Sequence, residues 1–266
     1  MKLVPDESEQ EDDEAENNKQ PGVERPEAAY TSERQDLLQM TVDNYRDWLQ
    51  SHVSWYLQDQ VFQTVIQGLD KATRIYKQSW TRATDNRVFT KVLYGIIKFV
   101  EIAVFPSMKI LLLDQVPQIL RNKLYSHVSE MSELMVLNLG SGSGGSVTDA
   151  FEDKFIFGIT SLNNLKHLSL RYDCTDKILE AAAETCGRSL VLLDVERSSR
   201  VTDDGAEHIL KCKQLKSLDI FHTSISTEGK AKIILGLEEL EDIPRGDFLC
   251  EALDYIEEEN PELLPR

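Results

Sequence analysis

Cysteine is scarce and unpatterned. Cys174, Cys186, Cys212 and Cys250 are scattered without C-x-x-C spacing, which excludes a zinc-ribbon framework and a thioredoxin-type dithiol. Nothing indicates export, so reduced, partly buried thiols are expected, and with them a cytoplasmic or nuclear location. Long apolar runs are also missing. A membrane span needs roughly 20 mostly apolar residues, and the most apolar stretch, Val92 to Leu113, is broken by Lys98, Glu101, Pro106 and Lys109. The opening MKLVPDESEQEDDE has neither the basic segment nor the apolar core of a secretory leader. No membrane association is expected. Positive charge is the third shortage: 29 Lys and Arg face 46 Asp and Glu, for a formal net charge of -17. Such a surface repels a phosphate backbone, so nucleic acid is excluded as a partner.

The charge is also unevenly placed. In residues 1–34 eleven acids against four bases leave -7, and in residues 237–266 eleven against two leave -9. The long middle therefore contributes about -1 and is balanced. Residues 1–34 are polar, acidic and almost free of apolar side chains, which predicts a disordered tail. With 41% hydrophobic residues, however, the whole 266-residue chain can build a core.

Helical spacing begins after Glu33. Leu37, Leu38, Met40, Val42, Tyr45, Trp48 and Leu49 recur three to four apart, and Val53 through Leu69 continue the pattern. A run from Val88 to Val104 has the same character and stops near Pro106. Residues 35–105 are thus expected to form three or four helices.

Beyond Pro106 one pattern returns, with apolar residues at its first, fourth and sixth positions. It occurs as Met108/Leu111/Leu113, Leu134/Leu137/Leu139, Leu165/Leu168/Leu170, Leu190/Leu193/Val195 and Leu215/Leu218/Ile220. A degraded copy follows at Leu240/Ile243, where Pro244 would end a strand. Starting positions are 26, 31, 25, 25 and 25 residues apart, about the length of one strand plus one helix, and such regularity marks a solenoid. The linkers agree. Thr148, Thr175, Thr202 and Ser226 each stand just before a helical pattern with acids close behind, as expected of N-caps.

This pattern resembles the leucine-rich-repeat family, in its cysteine-containing subtype, over residues 106–250. Cys174, Cys186 and Cys212 fall in places comparable to that subtype's cysteines, although several copies lack the asparagine or cysteine expected after the strand. The resemblance implies an α/β fold, a leucine-rich-repeat solenoid (horseshoe) with an N-terminal all-helical region. It implies protein recognition, and in the F-box branch of the family, substrate choice for a cullin-RING ubiquitin ligase with a cullin adaptor bound at the helical region. Leu57 to Trp80 has a loose likeness to an F-box but lacks its opening Leu-Pro, so an adaptor module, a cap alone or another partner-docking role all stay open for residues 35–105. A scaffold with no ubiquitin link, or a relative whose partner surface has decayed, fits the same repeats.

A rival is carried by Met135 to Gly145, which looks like the strand and glycine loop of an S-adenosylmethionine-dependent methyltransferase, with Phe155–Ile159 as its second strand. An acid should follow that strand, and Thr160 stands there instead. Other catalytic signals are thin. His167, His208 and His222 lie in separate repeats, no G-x-S-x-G occurs, and Asp194, Glu196, Asp203 and Asp204 are accounted for by capping and solvation. Lys211 and Lys213 flank Cys212 and could lower its pKa, but a helix-end cysteine is structural. No enzyme, metal or cofactor is expected.

Positions between the core leucines should point away from the core and stack across the repeats. The expected protein-binding row holds Asn138, Ser169, Asp194 and Asp219, with Arg171, Tyr172, Glu196, Arg197, Phe221 and His222 just beyond. Phe221 is the sharpest member, a large aromatic at an exposed position. On the horseshoe these form a concave face for a protein partner. Phe248, Leu249, Leu253, Tyr255 and Ile256 should close the last repeat, so residues 251–266 are a C-terminal cap and acidic end.

Overall fold

Five strands of three residues each form one parallel sheet: β1 (Ile110–Leu112), β2 (Val136–Asn138), β3 (His167–Ser169), β4 (Leu192–Asp194) and β5 (Ser217–Asp219). Their order across the sheet is their order along the chain. The computed structural model describes residues 26–79, 98, 102–113, 125–139, 149–243 and 247–259. The chain divides into two compact units, Met1–Leu38 and Gln39–Arg266. Of the first, residues 26–38 are described and are helical.

The register follows from the leucine pattern. Leu111, Leu137, Leu168, Leu193 and Leu218 stand opposite one another across the five strands, and all are at most 1% exposed. The first and sixth positions of each copy, from Met108 and Leu113 to Leu215 and Ile220, are equally buried. Each such leucine contributes roughly 2 kcal/mol relative to an exposed one. The degraded sixth copy still makes one bridge, Ser217 to Asp242, while Leu240 and Ile243 are only partly buried against the core.

Between strands the chain returns through α3 (Asp149–Ile159), α4 (Asp176–Cys186), α5 (Asp203–Ile209) and α6 (Thr227–Gly236), and a short 3-10 helix (Tyr125–Glu130) links β1 to β2. Each helix packs on its chain neighbours. The expected caps form at three sites: Thr175, Thr202 and Ser226 accept from the backbone N–H of Ile178, Asp204 and Gly229. Thr148 lies outside the described residues. The acids do more than cap. Asp176 accepts from the Thr202 N–H at 2.8 Å and its hydroxyl at 2.7 Å, and Asp203 accepts from the Ser226 N–H at 2.8 Å. Each acid thereby joins one unit to the next.

Ser198, fully buried after β4, donates to the Leu170 carbonyl and accepts from the Cys174 N–H, both at 3.2 Å. A hydroxyl thus satisfies backbone groups of the preceding unit.

Two further helices precede the sheet, α1 (Pro26–His52) and α2 (Trp55–Ser79). Phe62 and Ile66 of α2 join the same core as the strands. Buried Gln58 ties this corner together, donating to the Val53 carbonyl at 2.7 Å and accepting from the Ser107 hydroxyl at 2.6 Å. Residues 26–34, grouped with the acidic tail on composition, are the start of α1, opened by a proline at the first helical position. The expected third helical run, Val88 to Val104, lies mostly outside the described residues. Several apolar positions that set the helical pattern face outwards: Met40, Tyr45, Trp48, Tyr56 and Leu57 are exposed, whereas Val42, Phe62 and Ile66 are buried.

At the other end α7 (Asp247–Glu259) packs on α6. Ala252 and Ile256 are buried with Ala231, and Tyr255 is partly covered beside them. Leu253, expected inward, is exposed. Among the described residues no helix is long and apolar enough to cross a membrane.

Candidate functional site

The residues flanking each central leucine stand in two rows on the sheet face away from the core. Val136, His167, Leu192 and Ser217 are partners in one row, and Asn138, Ser169, Asp194 and Asp219 in the other. The second row is the one expected from the sequence. The first was missed, although two-residue alternation should have found it two positions upstream.

Exposure along the expected row differs from expectation. Asn138 is half-buried, but Ser169, Asp194 and Asp219 are buried, and so is Glu196 just beyond. Capping and solvation therefore do not account for Asp194 and Glu196. Their burial is possible because they are paired, since a buried carboxylate without a partner is costly. The Arg171 Nε lies 2.5 Å from Asp194 Oδ2 and 3.5 Å from Glu196 Oε2. Asp194 also accepts from the Ser169 hydroxyl at 3.1 Å and from the Glu196 N–H. The Arg197 Nε lies 3.2 Å from Glu196 Oε1. Asp219 accepts from the Phe221 N–H at 3.0 Å.

What remains open to solvent is therefore cationic and aromatic. Arg171 and Arg197 expose 41% and 47% of their side chains, against 11% and 5% for Asp194 and Glu196. Arg197 donates through Nη1 to the Tyr172 hydroxyl at 2.8 Å, with its guanidinium 5.6 Å from the centre of that ring. Phe221 is half-buried rather than exposed, its ring 3.9 Å from that of exposed His222. Burial works against the Arg171 charge, but the hydrogen bond and charge of Asp194, with Glu196 and Asp219 behind it, outweigh that and raise its pKa above the usual arginine value.

Tyr172, Arg197 and His222 share one more property. All three have left-handed backbones, with φ of 68°, 61° and 56°. They recur every 25 residues, and the Tyr172 and Arg197 N–H groups donate to the Glu196 and Phe221 carbonyls of the next unit. A bulky residue in this conformation costs about 1 kcal/mol or more relative to glycine.

Asp194, Glu196 and Asp219 are also the one group among the described residues with metal-ligand spacing, their oxygens lying within 4.8 Å of one another. Two guanidiniums already supply countercharge there. The acids hold the arginines.

Elsewhere, Asp203 is used by Ser226 and Asp204 is exposed. Cys174, Cys186 and Cys212 are buried free thiols and Cys250 is exposed. Burial raises the Cys212 thiol to about 11 despite Lys211, and Cys186 to about 12, so neither is activated. Phe155–Ile159, the second strand of the methyltransferase alternative, lies in α3. Gly140–Gly145 falls outside the described residues. The sheet runs in chain order, without the reversal at which doubly wound folds place their ligand. No family model matches the chain, and no curated protein matches it.

Proposed function

We propose that this chain is a leucine-rich-repeat solenoid that binds another protein on its open sheet face and performs no catalysis. The observation that carries the proposal is the row of left-handed residues. Three successive units place Tyr172, Arg197 and His222 where glycine would cost less. Retaining large side chains at strained positions is reasonable if those side chains meet a partner. The pairing of Arg171 and Arg197 with buried acids supports the same conclusion, because side chains already ordered lose less entropy on binding. Aromatic and arginine residues are also the types that dominate protein interfaces.

The test is quantitative capture of partners from cells by the parent chain and by the double variant Leu192→Glu, His222→Asp, at one half-buried position of the open sheet face and one exposed position. Partners lost by a variant with unchanged thermal unfolding support the proposal. An unchanged partner set sinks it.

A second docking surface, at the helices, is favoured by one observation: Met40, Tyr45, Trp48, Tyr56 and Leu57 are exposed, more apolar surface than a cap needs. A cullin adaptor there would link the protein to ubiquitin ligation. Trp48→Glu with Tyr56→Glu should then release that adaptor and leave the sheet-face partners bound. If no adaptor is captured by the parent chain, the helices are a cap.

A further inference from the structure

Resting on the sheet face being a binding surface, we infer that Arg171 and Arg197 form a receptor for a side-chain carboxylate in an acidic segment of the partner protein. Both guanidiniums are anchored through Nε to the same buried acid. Glu196 turns Oε2 to Arg171 at 3.5 Å and Oε1 to Arg197 at 3.2 Å, so the two heads stand side by side. Asp194 fixes Arg171 further, at 2.5 Å, and the Tyr172 hydroxyl takes one Nη1 hydrogen of Arg197. Among the described residues, neither terminal nitrogen of Arg171 nor the Nη2 of Arg197 makes a hydrogen bond to protein. In Arg171 a planar fork held at Nε with both terminal nitrogens open is suited to bidentate capture of a carboxylate, and Arg197 adds its Nη2.

The accessible charge is positive because the acids are covered and the arginines are not. Counted whole, Asp194, Glu196 and Asp219 against Arg171 and Arg197 leave one negative charge, which opposes a dianionic phosphate more strongly than a singly charged carboxylate.

The experiment is a titration of the full, isotope-labelled chain with three blocked peptides of equal length: hexaglutamate, hexalysine, and a neutral peptide carrying one phosphoserine. Arginine side-chain N–H signals report on Arg171 and Arg197 directly, and affinity is followed by fluorescence anisotropy. Hexaglutamate should move the Nη signals of both arginines, where hexalysine leaves them unmoved, and bind more tightly than the phosphopeptide. Arg171→Gln with Arg197→Gln should weaken it on the order of tenfold. Because that variant leaves buried acids unpaired, Arg171→Lys serves as a second one: it keeps the charge, loses the fork, and should still weaken binding. Unmoved Nη signals with hexaglutamate, movement of those signals by hexalysine, or tighter binding of the phosphopeptide each overturn the inference. If a sheet-face partner is captured but hexaglutamate does not compete for it, the carboxylate assignment fails while the binding function stands. If no partner depends on the face, the function itself fails.

Discussion

The Asp176 carboxylate occupies the space that a side chain at Gly205 would need. A Cβ there would collide with Asp176 Oδ1, the oxygen that accepts the Thr202 N–H. The same pairing recurs one unit later between Asp203 and Gly229. An acid at the first position of one helix and a glycine at the third position of the next are thus two halves of one contact.

This contact sets a coupling between neighbours in space. Gly205→Ala should destabilise by about 1–3 kcal/mol, as overpacking does, and Asp176→Ala by about 1–2 kcal/mol through lost hydrogen bonds. The double variant should cost clearly less than both together, since removing the carboxylate makes room for the methyl group. Urea unfolding of the four proteins measures this. Additive losses would mean that the two positions do not meet.

Asp59 should make stability depend on pH. It is buried on α2, and burial raises its pKa to about 6 against 3.8 for an ordinary aspartate, with the backbone hydrogen bond and the charge of Lys109 pulling the other way. The folded state then binds the proton more tightly than the unfolded chain. Stability from this group is present at low pH and is lost as pH rises through about 6. Asp59→Asn should therefore raise stability at pH 7.5 by on the order of 1–2 kcal/mol and flatten the profile between about pH 4 and 6. A variant as pH-dependent as the parent would remove Asp59 as the cause.

Thiol labelling should divide the cysteines unequally. Cys250 is exposed, whereas Cys174, Cys186 and Cys212 are buried, with thiols raised by desolvation. One equivalent should react quickly in the native protein and three more only on unfolding. Rapid modification of Cys212 would show that its lysine neighbours activate it after all.

His222→Gly separates strain from packing. Relief of the left-handed backbone and loss of the ring contact with Phe221 work against each other, so stability should stay within about 1 kcal/mol of the parent. Partner capture should fall. A loss of stability beyond that, with capture intact, would make the side chain structural.

Much of the fold is legible in the sequence, and for a local reason. A residue's place in a three-residue strand is set by alternation, so a leucine at the fourth position and partners at the first and sixth face inward wherever the pattern recurs. Leu137, Leu168, Leu193 and Leu218 behave as that spacing requires, as do the caps at Thr175, Thr202 and Ser226. These signals need only a few neighbouring residues. The boundary of α1 was less legible, because Pro26 starts a helix inside a stretch whose composition is that of a tail.

The site depended on distant residues meeting. Nothing near Asp194 in the chain says that it will be covered, since its countercharge, Arg171, is 23 residues away and reaches it only when β3 and β4 align. Glu196 likewise holds one arginine from its own unit and one from the unit before. Alternation marks these side chains as facing away from the core, but exposure is settled by what lies beside them in the next strand. The acids became supports and the arginines became the surface, because burying a carboxylate is tolerable only where a neighbouring unit brings the opposite charge to it.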